Sequence, residues 1–137
     1  MPETSVTTEV EIVRAFLADL EQLDVDAALE WLADDVVYQN VPLPAARSKA
    51  AVERQLRLLP RITGFEARIH NLASDGAIVL TERTDVLVLG RVRAEFWVCG
   101  TFEVRSGRIV LWRDHFDYLG FVAAFVKGAA RALLGRR

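Results

Sequence analysis

Near Pro60 the hydrophobic pattern of this chain changes its period. Apolar residues before that point recur at helical spacing, and "TTEVEIVRAFLADLEQL", residues 7–23, is the clearest case, with Thr7 or Thr8 as the expected N-cap. The segments after it alternate apolar and polar residues, as half-buried strands do. The sequence therefore predicts helices first and a strand-rich part second.

Two further helices and a short strand are predicted before Pro60. "DVDAALEWLADD", residues 24–35, reads as a second helix opened by Asp24 or Asp26. "SKAAVERQLRLLP", residues 48–60, reads as a third helix that ends at its proline. "VVYQN", residues 36–40, is expected to be a strand between these two helices.

Long alternating strands, separated by hairpin signals, are predicted after Pro60. A final helix, "GFVAAFVKGAARALL", would follow them and be weakened by Gly128. This order gives an α+β fold, in which strands of such length would curl and leave a pocket between the sheet and the helices. The strands are "FEARIHNLAS", "AIVLTERTDVLVL", "VRAEFWVCGTFEVR" and "RIVLWRDHFDYL".

Length and charge exclude several classes of function. A chain of 137 residues is expected to form one domain, residues 1–137. A formal net charge of −2 predicts no strong attraction to nucleic acid or to an anionic membrane. With Cys99 as the only cysteine and two histidines, no disulfide and no metal site are expected. The chain has no apolar run of membrane-spanning length and no signal-peptide pattern, so we expect a cytoplasmic protein.

Three strands carry polar pairs on faces that also carry apolar residues. Alternation places Arg83 and Asp85 on one face with Thr81 and Leu87, Trp112 and Asp114 on one face with Val110 and Phe116, and Tyr38 and Asn40 on one face with Val36. Each pair alone is compatible with a solvated strand end. If the pairs converge, they place two carboxylates, a guanidinium, a phenol and an amide in one pocket. Two carboxylates in different environments can serve as an acid and a base, and Tyr and Asn can hold a water molecule.

The motifs "YQN", "RTD" and "WRDHFD", in this order, resemble the Y-x-N, R-x-D and W-R-[DE]-x-F-D pattern of limonene-1,2-epoxide hydrolases. The resemblance extends from the first helix to Asp117. It implies the cone-shaped fold shared with nuclear transport factor 2 and ketosteroid isomerase, with a strongly curved sheet around an internal pocket. It also implies addition of water to an epoxide without a cofactor, and the apolar pocket suggests a small apolar epoxide as substrate.

The resemblance implies a role for each motif residue. Asp114 would be the general base for a water held by Tyr38 and Asn40. Asp85 would be the general acid that protonates the epoxide oxygen, and Arg83 would hold the two carboxylates in place. Trp112 would belong to the pocket wall, and the residues on the same strand faces that we expect to contact the substrate are Val36, Leu87 and Phe116.

Two other functions remain open on the residues alone. A SnoaL-like cyclase or a ketosteroid-isomerase-like enzyme would use one carboxylate as a proton shuttle, and a non-catalytic domain would only bind a ligand. The complete set of polar residues argues against a non-catalytic binding domain, because a cavity with no catalytic role would be more stable with apolar residues in place of these charges. A homodimer is also expected, since "RAEFWVCGTF" looks hydrophobic on both faces and the family resemblance points the same way.

Overall fold

The computed structural model describes residues 8–57 and 62–135, which form helices at both ends of a β-rich centre. The helices are α1 Glu9–Glu21, α2 Val25–Glu30, α3 Lys49–Arg57 and α4 Tyr118–Leu134. The strands are β1 Leu32–Val41, β2 Ala46–Arg47, β3 Gly64–Asp75, β4 Ile78–Leu89, β5 Val92–Arg105 and β6 Arg108–His115. The expected α+β order is confirmed, and the end of the third helix at Pro60 lies outside the described residues.

The first two helices begin where their capping residues predict. Thr8 accepts from the backbone N–H of Glu11 and the Glu11 side chain accepts from the backbone N–H of Thr8, which is a capping box. Asp24 accepts from the backbone N–H of Ala27 and so opens α2. The apolar face of α1 enters the core through Ile12, Val13, Phe16 and Leu17.

The second helix is shorter than the sequence predicts. It ends at Glu30, and β1 begins at Leu32, inside the stretch that reads as helical. Leu32 is fully buried and pairs with Ile109 of β6, so pairing in the sheet overrides the local helical pattern. The register shifts between Leu32 and Val37, which marks a bulge before the polar end of the strand.

The strands form a six-stranded sheet in the order β2-β1-β6-β5-β4-β3. The four strands β3 to β6 pair as an antiparallel meander, as the alternating segments predict. In the described sheet β1 pairs parallel to β6 and antiparallel to β2, so the sheet is mixed. The strong curvature expected for this sheet remains a prediction.

A β-bulge also alters which residues of β6 face the interior. The register between β5 and β6 shifts at Glu103 and Val104. Ile109, rather than the predicted Val110, therefore lies with Trp112 in the buried core. Alternation holds again from Trp112 to Asp114, both of which are buried.

The last helix is attached closely to β5. Asp117 caps α4 by accepting from the backbone N–H of Leu119. Gly128 is buried where a Cβ atom would lie 2.3 Å from the carbonyl oxygen of Arg93. The glycine that weakens the helical pattern is thus the residue that lets the helix approach the strand. Among the described helices, none is long and apolar enough to cross a membrane.

Candidate active site

Strand β4 places Arg83 and Asp85 side by side on its inner face. Arg83 is 1% exposed and Asp85 is 5% exposed, so both charged groups are buried. Arg83 donates from Nε to Asp85 Oδ1 at 2.9 Å and from Nη2 to Asp85 Oδ2 at 2.8 Å. This two-point pairing fixes the plane of the carboxylate relative to the guanidinium.

Asp114 reaches the same guanidinium from β6. Arg83 Nη2 also donates to Asp114 Oδ1, at 3.3 Å, so a single nitrogen bridges the two carboxylates. The indole Nε1 of Trp112 donates to Asp114 Oδ2 at 3.2 Å. Each Asp114 oxygen therefore has a fixed donor, and each keeps lone-pair capacity for a further partner.

The parallel pairing of β1 with β6 brings Tyr38 and Asn40 beside these groups. The register sets Tyr38 opposite Trp112 and Asn40 opposite Asp114. The rings of Tyr38 and Trp112 stack with their centroids 3.8 Å apart, and Asn40 Nδ2 donates to the Tyr38 hydroxyl at 3.0 Å. Because its oxygen accepts from Asn40, the phenol has its own proton free to donate to another group.

The polar set opens onto a cavity of about 560 Å³ with a largely apolar lining. All predicted site residues except Val36 line it, and Val36 instead lies fully buried in the hydrophobic core. The convergence of the three polar pairs is therefore confirmed as geometry. The register shifts between Leu32 and Val37, a stretch that includes Val36, so alternation identified Tyr38 and Asn40 as wall residues of β1 but misplaced Val36.

The sequence did not identify several wall residues, which come from the helices, from β3 and β5, and from the connections beside them. Phe96 of β5 lies in the cavity wall directly across the β4–β5 ladder from Asp85. The short hairpin loop between Leu89 and Val92 determines this pairing, so the position of Phe96 opposite Asp85 could have been predicted from the loop length. No local signal pointed to Phe121 of α4. The other apolar wall residues are Leu17, Leu20, Leu23, Val25, Leu56, Ile62, Phe65 and Val98.

Burial and charge set the protonation of the site. Burial raises the pKa of Asp114 to about 6, although the adjacent Arg83 charge lowers it; Asp85 adds to the increase. Burial opposes the charge on Arg83, but Asp114 and Asp85 outweigh this effect and raise the pKa of Arg83 above its ordinary value. Burial, followed by the charge of Asp114, raises the pKa of Tyr38, so the phenol stays protonated. Asp114 is thus a carboxylate at neutral pH, and Tyr38 is a donor.

Comparison with known proteins assigns the chain to a protein family. The model of the limonene-1,2-epoxide hydrolase catalytic domain matches residues 7–127. The chain belongs to the limonene-1,2-epoxide hydrolase family. Epoxide hydrolase EphG of Mycobacterium tuberculosis is 46% identical to it over 116 residues, which are 85% of this chain and 78% of that protein.

Solved structures agree with the family. The structure of an M. tuberculosis LEH-like epoxide hydrolase matches with a TM-score of 0.86 at 42% identity, and the match covers 93% of this chain and 96% of that one. An NTF2-like protein of unknown function from Burkholderia pseudomallei matches with a TM-score of 0.76 at 17% identity, over 85% of this chain and 96% of that one. The second likeness concerns the fold alone, which is that of nuclear transport factor 2.

Family membership decides between the functions that the residues left open. The chain is an epoxide hydrolase of the limonene-1,2-epoxide hydrolase type, rather than a cyclase, an isomerase or a non-catalytic binding domain. The buried set of Asp85, Arg83 and Asp114 is consistent with that activity.

Proposed function

We propose that this hydrolase adds water to a small apolar epoxide in one step and releases a vicinal diol. Asp114 acts as the general base, Asp85 as the general acid, and Arg83 holds both carboxylates. The observation that carries this mechanism is the bridge from Arg83 Nη2 to both carboxylates, at 2.8 Å and 3.3 Å, in a cavity that also exposes Tyr38 and Asn40.

An epoxide requires two proton transfers in opposite directions. The ring oxygen leaves as a poor alkoxide, so a proton must reach it as the C–O bond breaks. Water is a weak nucleophile and must lose a proton as it attacks carbon. An acid and a base held on opposite sides of the ring meet both needs at once.

The base side consists of Asp114 and the pair Tyr38 and Asn40. The attacking water donates one proton to Asp114 and the other to the Asn40 carbonyl oxygen, and it accepts from the Tyr38 hydroxyl. The bond from Asn40 Nδ2 to the Tyr38 oxygen turns the phenol proton outward for this purpose. A pKa of about 6 suits Asp114 to this role, because the group is ionised at neutral pH and is a stronger base than an ordinary carboxylate.

The acid side consists of Asp85, with Arg83 as the group that keeps the two carboxylates in a fixed relation. The proposed role of general acid requires that Asp85 has a proton to donate when the epoxide is bound. This proton passes to the epoxide oxygen as the ring opens, while Asp114 takes a proton from the water. Transfer of that proton from Asp114 back to Asp85 restores the starting state, so epoxide and water give diol with no net change in the enzyme.

The substrate class follows from the cavity lining. Leu87, Phe116 and Trp112 line the cavity beside the polar set, and most of the remaining wall consists of aliphatic and aromatic residues, with Arg57 of α3 as a further charged residue. A volume of about 560 Å³ is in the usual range for small-molecule sites. The non-reacting part of the epoxide is therefore apolar.

A single-turnover reaction in ¹⁸O-water, with enzyme in excess over epoxide, tests the one-step mechanism. The label should appear in the diol during the first turnover, and no mass adduct should form on Asp85 or Asp114. A labelled carboxylate with an unlabelled first-turnover diol would instead demonstrate a covalent ester intermediate.

Two amide variants test the acid and base roles. Asp85→Asn and Asp114→Asn should each lower kcat by roughly 10²–10⁴-fold, the range typical of general acid–base catalysis. Asp34→Asn is the matched control, because Asp34 lies on β1 with a fully exposed side chain and away from the cavity. Near-full hydrolysis by either site variant would remove that residue from its assigned role.

We also propose that the protein is a cytoplasmic homodimer that associates through the outer face of β4 and β5. Trp97 is 51% exposed and Leu80 is 50% exposed on this face, and an apolar surface of this kind favours a partner. Light scattering should give about twice the 15.3 kDa monomer mass, and Leu80→Asp should shift the protein toward monomer. A monomer at micromolar concentration would contradict the proposal.

A further inference from the structure

The end of the Arg83 guanidinium that faces away from Asp85 is also held. Arg83 Nη1 donates to Thr81 Oγ1 at 3.2 Å, and Thr81 Oγ1 donates to the carbonyl oxygen of Gly100 at 3.4 Å. Thr81 is 3% exposed and lies directly across the β4–β5 ladder from Gly100. The threonine hydroxyl thus connects the guanidinium to the backbone of the next strand.

Gly100 provides the space that this arrangement needs. A Cβ atom at this position would lie 2.5 Å from Arg83 Nη1 and 2.9 Å from both Asp114 Oδ1 and Thr81 Oγ1. Gly100 is not among the described residues that adopt a positive φ, so its backbone does not call for glycine. The reason for glycine here is the close approach of three hydrogen-bonded side chains.

We infer, on the basis of the roles proposed above for Asp85 and Asp114, that Thr81 and Gly100 are positioning residues that form a floor beneath Arg83. Thr81 fixes the rotation of the guanidinium, and Gly100 leaves room for Nη2 to reach both carboxylates. Neither residue needs to touch the substrate. Their effect on catalysis passes through Arg83.

The Arg83–Asp114 bond is the contact most sensitive to this floor. At 3.3 Å it is longer than the two bonds from Arg83 to Asp85 on the same strand, which are 2.8 Å and 2.9 Å. The charged or titratable groups around Asp114 are Arg83 and Asp85 from β4 and Tyr38 from β1. If Arg83 turns away, Asp114 keeps the repulsion of Asp85 and loses its positive neighbour, so it becomes harder to ionise.

Kinetics of Thr81 variants give the first test. Thr81→Val keeps the shape of the side chain but removes the hydroxyl, and it should lower kcat on the order of tenfold, as expected for loss of one hydrogen bond to a charged group, with little change in KM. Thr81→Ser should recover most of this loss. Thr101→Val is the matched control, because Thr101 neighbours Gly100 in sequence and lies on the opposite face of β5.

The pH profile separates positioning from a merely structural role. In Thr81→Val and Gly100→Ala the acid limb of kcat/KM should move to higher pH, because Asp114 loses part of its contact with Arg83. Thr81→Ser and Thr101→Val should keep the wild-type limb. A general loss of stability would lower the amount of folded enzyme without moving the limb.

Direct titration of Asp114 by carboxyl ¹³C NMR, assigned with Asp114→Asn, gives a readout that does not depend on activity. A raised titration midpoint in Thr81→Val supports the positioning role; if kcat then stays at the wild-type value, the base role proposed for Asp114 fails instead. A folded Thr81→Val protein with both the wild-type midpoint and the wild-type kcat overturns the inference. Should Gly100→Ala not fold, the Val and Ser pair at Thr81 still decides the question.

Discussion

Replacement of Arg83 by lysine keeps the positive charge and removes the geometry that the proposed mechanism needs. Arg83 uses Nε and Nη2 on the two oxygens of Asp85, and the same Nη2 reaches Asp114. The lysine ammonium is a single nitrogen and cannot reproduce two parallel donors with a fixed plane. Arg83→Lys should therefore keep one carboxylate interaction and lose the bridge.

The size of the effect follows from the hydrogen bonds that a lysine side chain cannot make. A hydrogen bond to a charged group contributes about 1.5–3 kcal/mol, so the absence of one or two of them removes roughly 3 kcal/mol. If this energy is lost from the transition state, kcat/KM falls by roughly 10²-fold. Stability should fall as well, because a buried carboxylate is left with an incomplete partner.

Initial rates of diol formation and chemical denaturation measure the two effects separately. Arg68→Lys is the matched control, since Arg68 lies on β3 in an exposed ion pair with Glu66 that should contribute little to stability. Wild-type kcat/KM in Arg83→Lys would reduce Arg83 to a source of positive charge and refute the need for its two-point geometry.

Three further predictions concern pH, the cavity wall and the last helix. Because Asp114 must be ionised to accept a proton and has a pKa of about 6, kcat/KM should fall as pH drops through about 6; a level profile from pH 7 down to pH 5 would contradict this. Phe121→Ala should raise KM about tenfold with a smaller effect on kcat, whereas Phe125→Ala, one turn further along α4, should not. Gly128→Ala should lower the free energy of unfolding by about 1–3 kcal/mol, because the alanine Cβ would clash with the Arg93 carbonyl, and this outweighs the better helix propensity of alanine. Denaturant titrations measure the effect, with Gly120→Ala, at an exposed position of the same helix, as the control.

The parts of the fold that local chemistry determines could be predicted from the sequence. Caps at Thr8, Asp24 and Asp117 and the alternation along β4 depend on neighbouring residues only. The polar pairs could be placed on their faces for the same reason. The early end of α2 could not be predicted, because Leu32 joins β1 through a partner, Ile109, that is distant in sequence.

The cavity wall shows the same division. The positions of wall residues on strands follow from alternation and from the register of the hairpins. Leu87 and Trp112 were therefore predicted from the sequence, and Phe96 could have been predicted in the same way. Phe121 was not, because its position depends on how α4 docks on β5, and the close approach at Gly128 that permits this docking is not a local property. Val36 was misplaced since a bulge precedes the residues of β1 that reach the cavity.

The parallel pairing of β1 and β6 was also beyond local prediction, and it assembles the proposed base side. These strands are far apart in sequence, and their register alone sets Asn40 beside Asp114 and Tyr38 beside Trp112. A shift by one residue would turn Tyr38 and Asn40 to the outer face. The order of the motifs in the sequence therefore has structural meaning only once this pairing is known.

The ionised form of Asp114 lowers the stability of the fold, although the proposed reaction requires it. Its pKa is raised from an ordinary 3.8 to about 6, which corresponds to a cost on the order of 3 kcal/mol when the group is ionised in the folded protein. For such a group the stabilising contribution is complete below the unfolded pKa and is lost as pH rises through the folded pKa. Between about pH 4 and pH 6 this residue therefore lowers stability over the same interval in which it becomes able to accept a proton. An uncharged amide at this position avoids that cost and can still accept from Arg83, but its NH2 group then faces the indole N–H of Trp112. Asp114→Asn should therefore remain folded at neutral pH while losing activity. Persistence of the carboxylate in a buried site is then explained by the reaction and not by the fold.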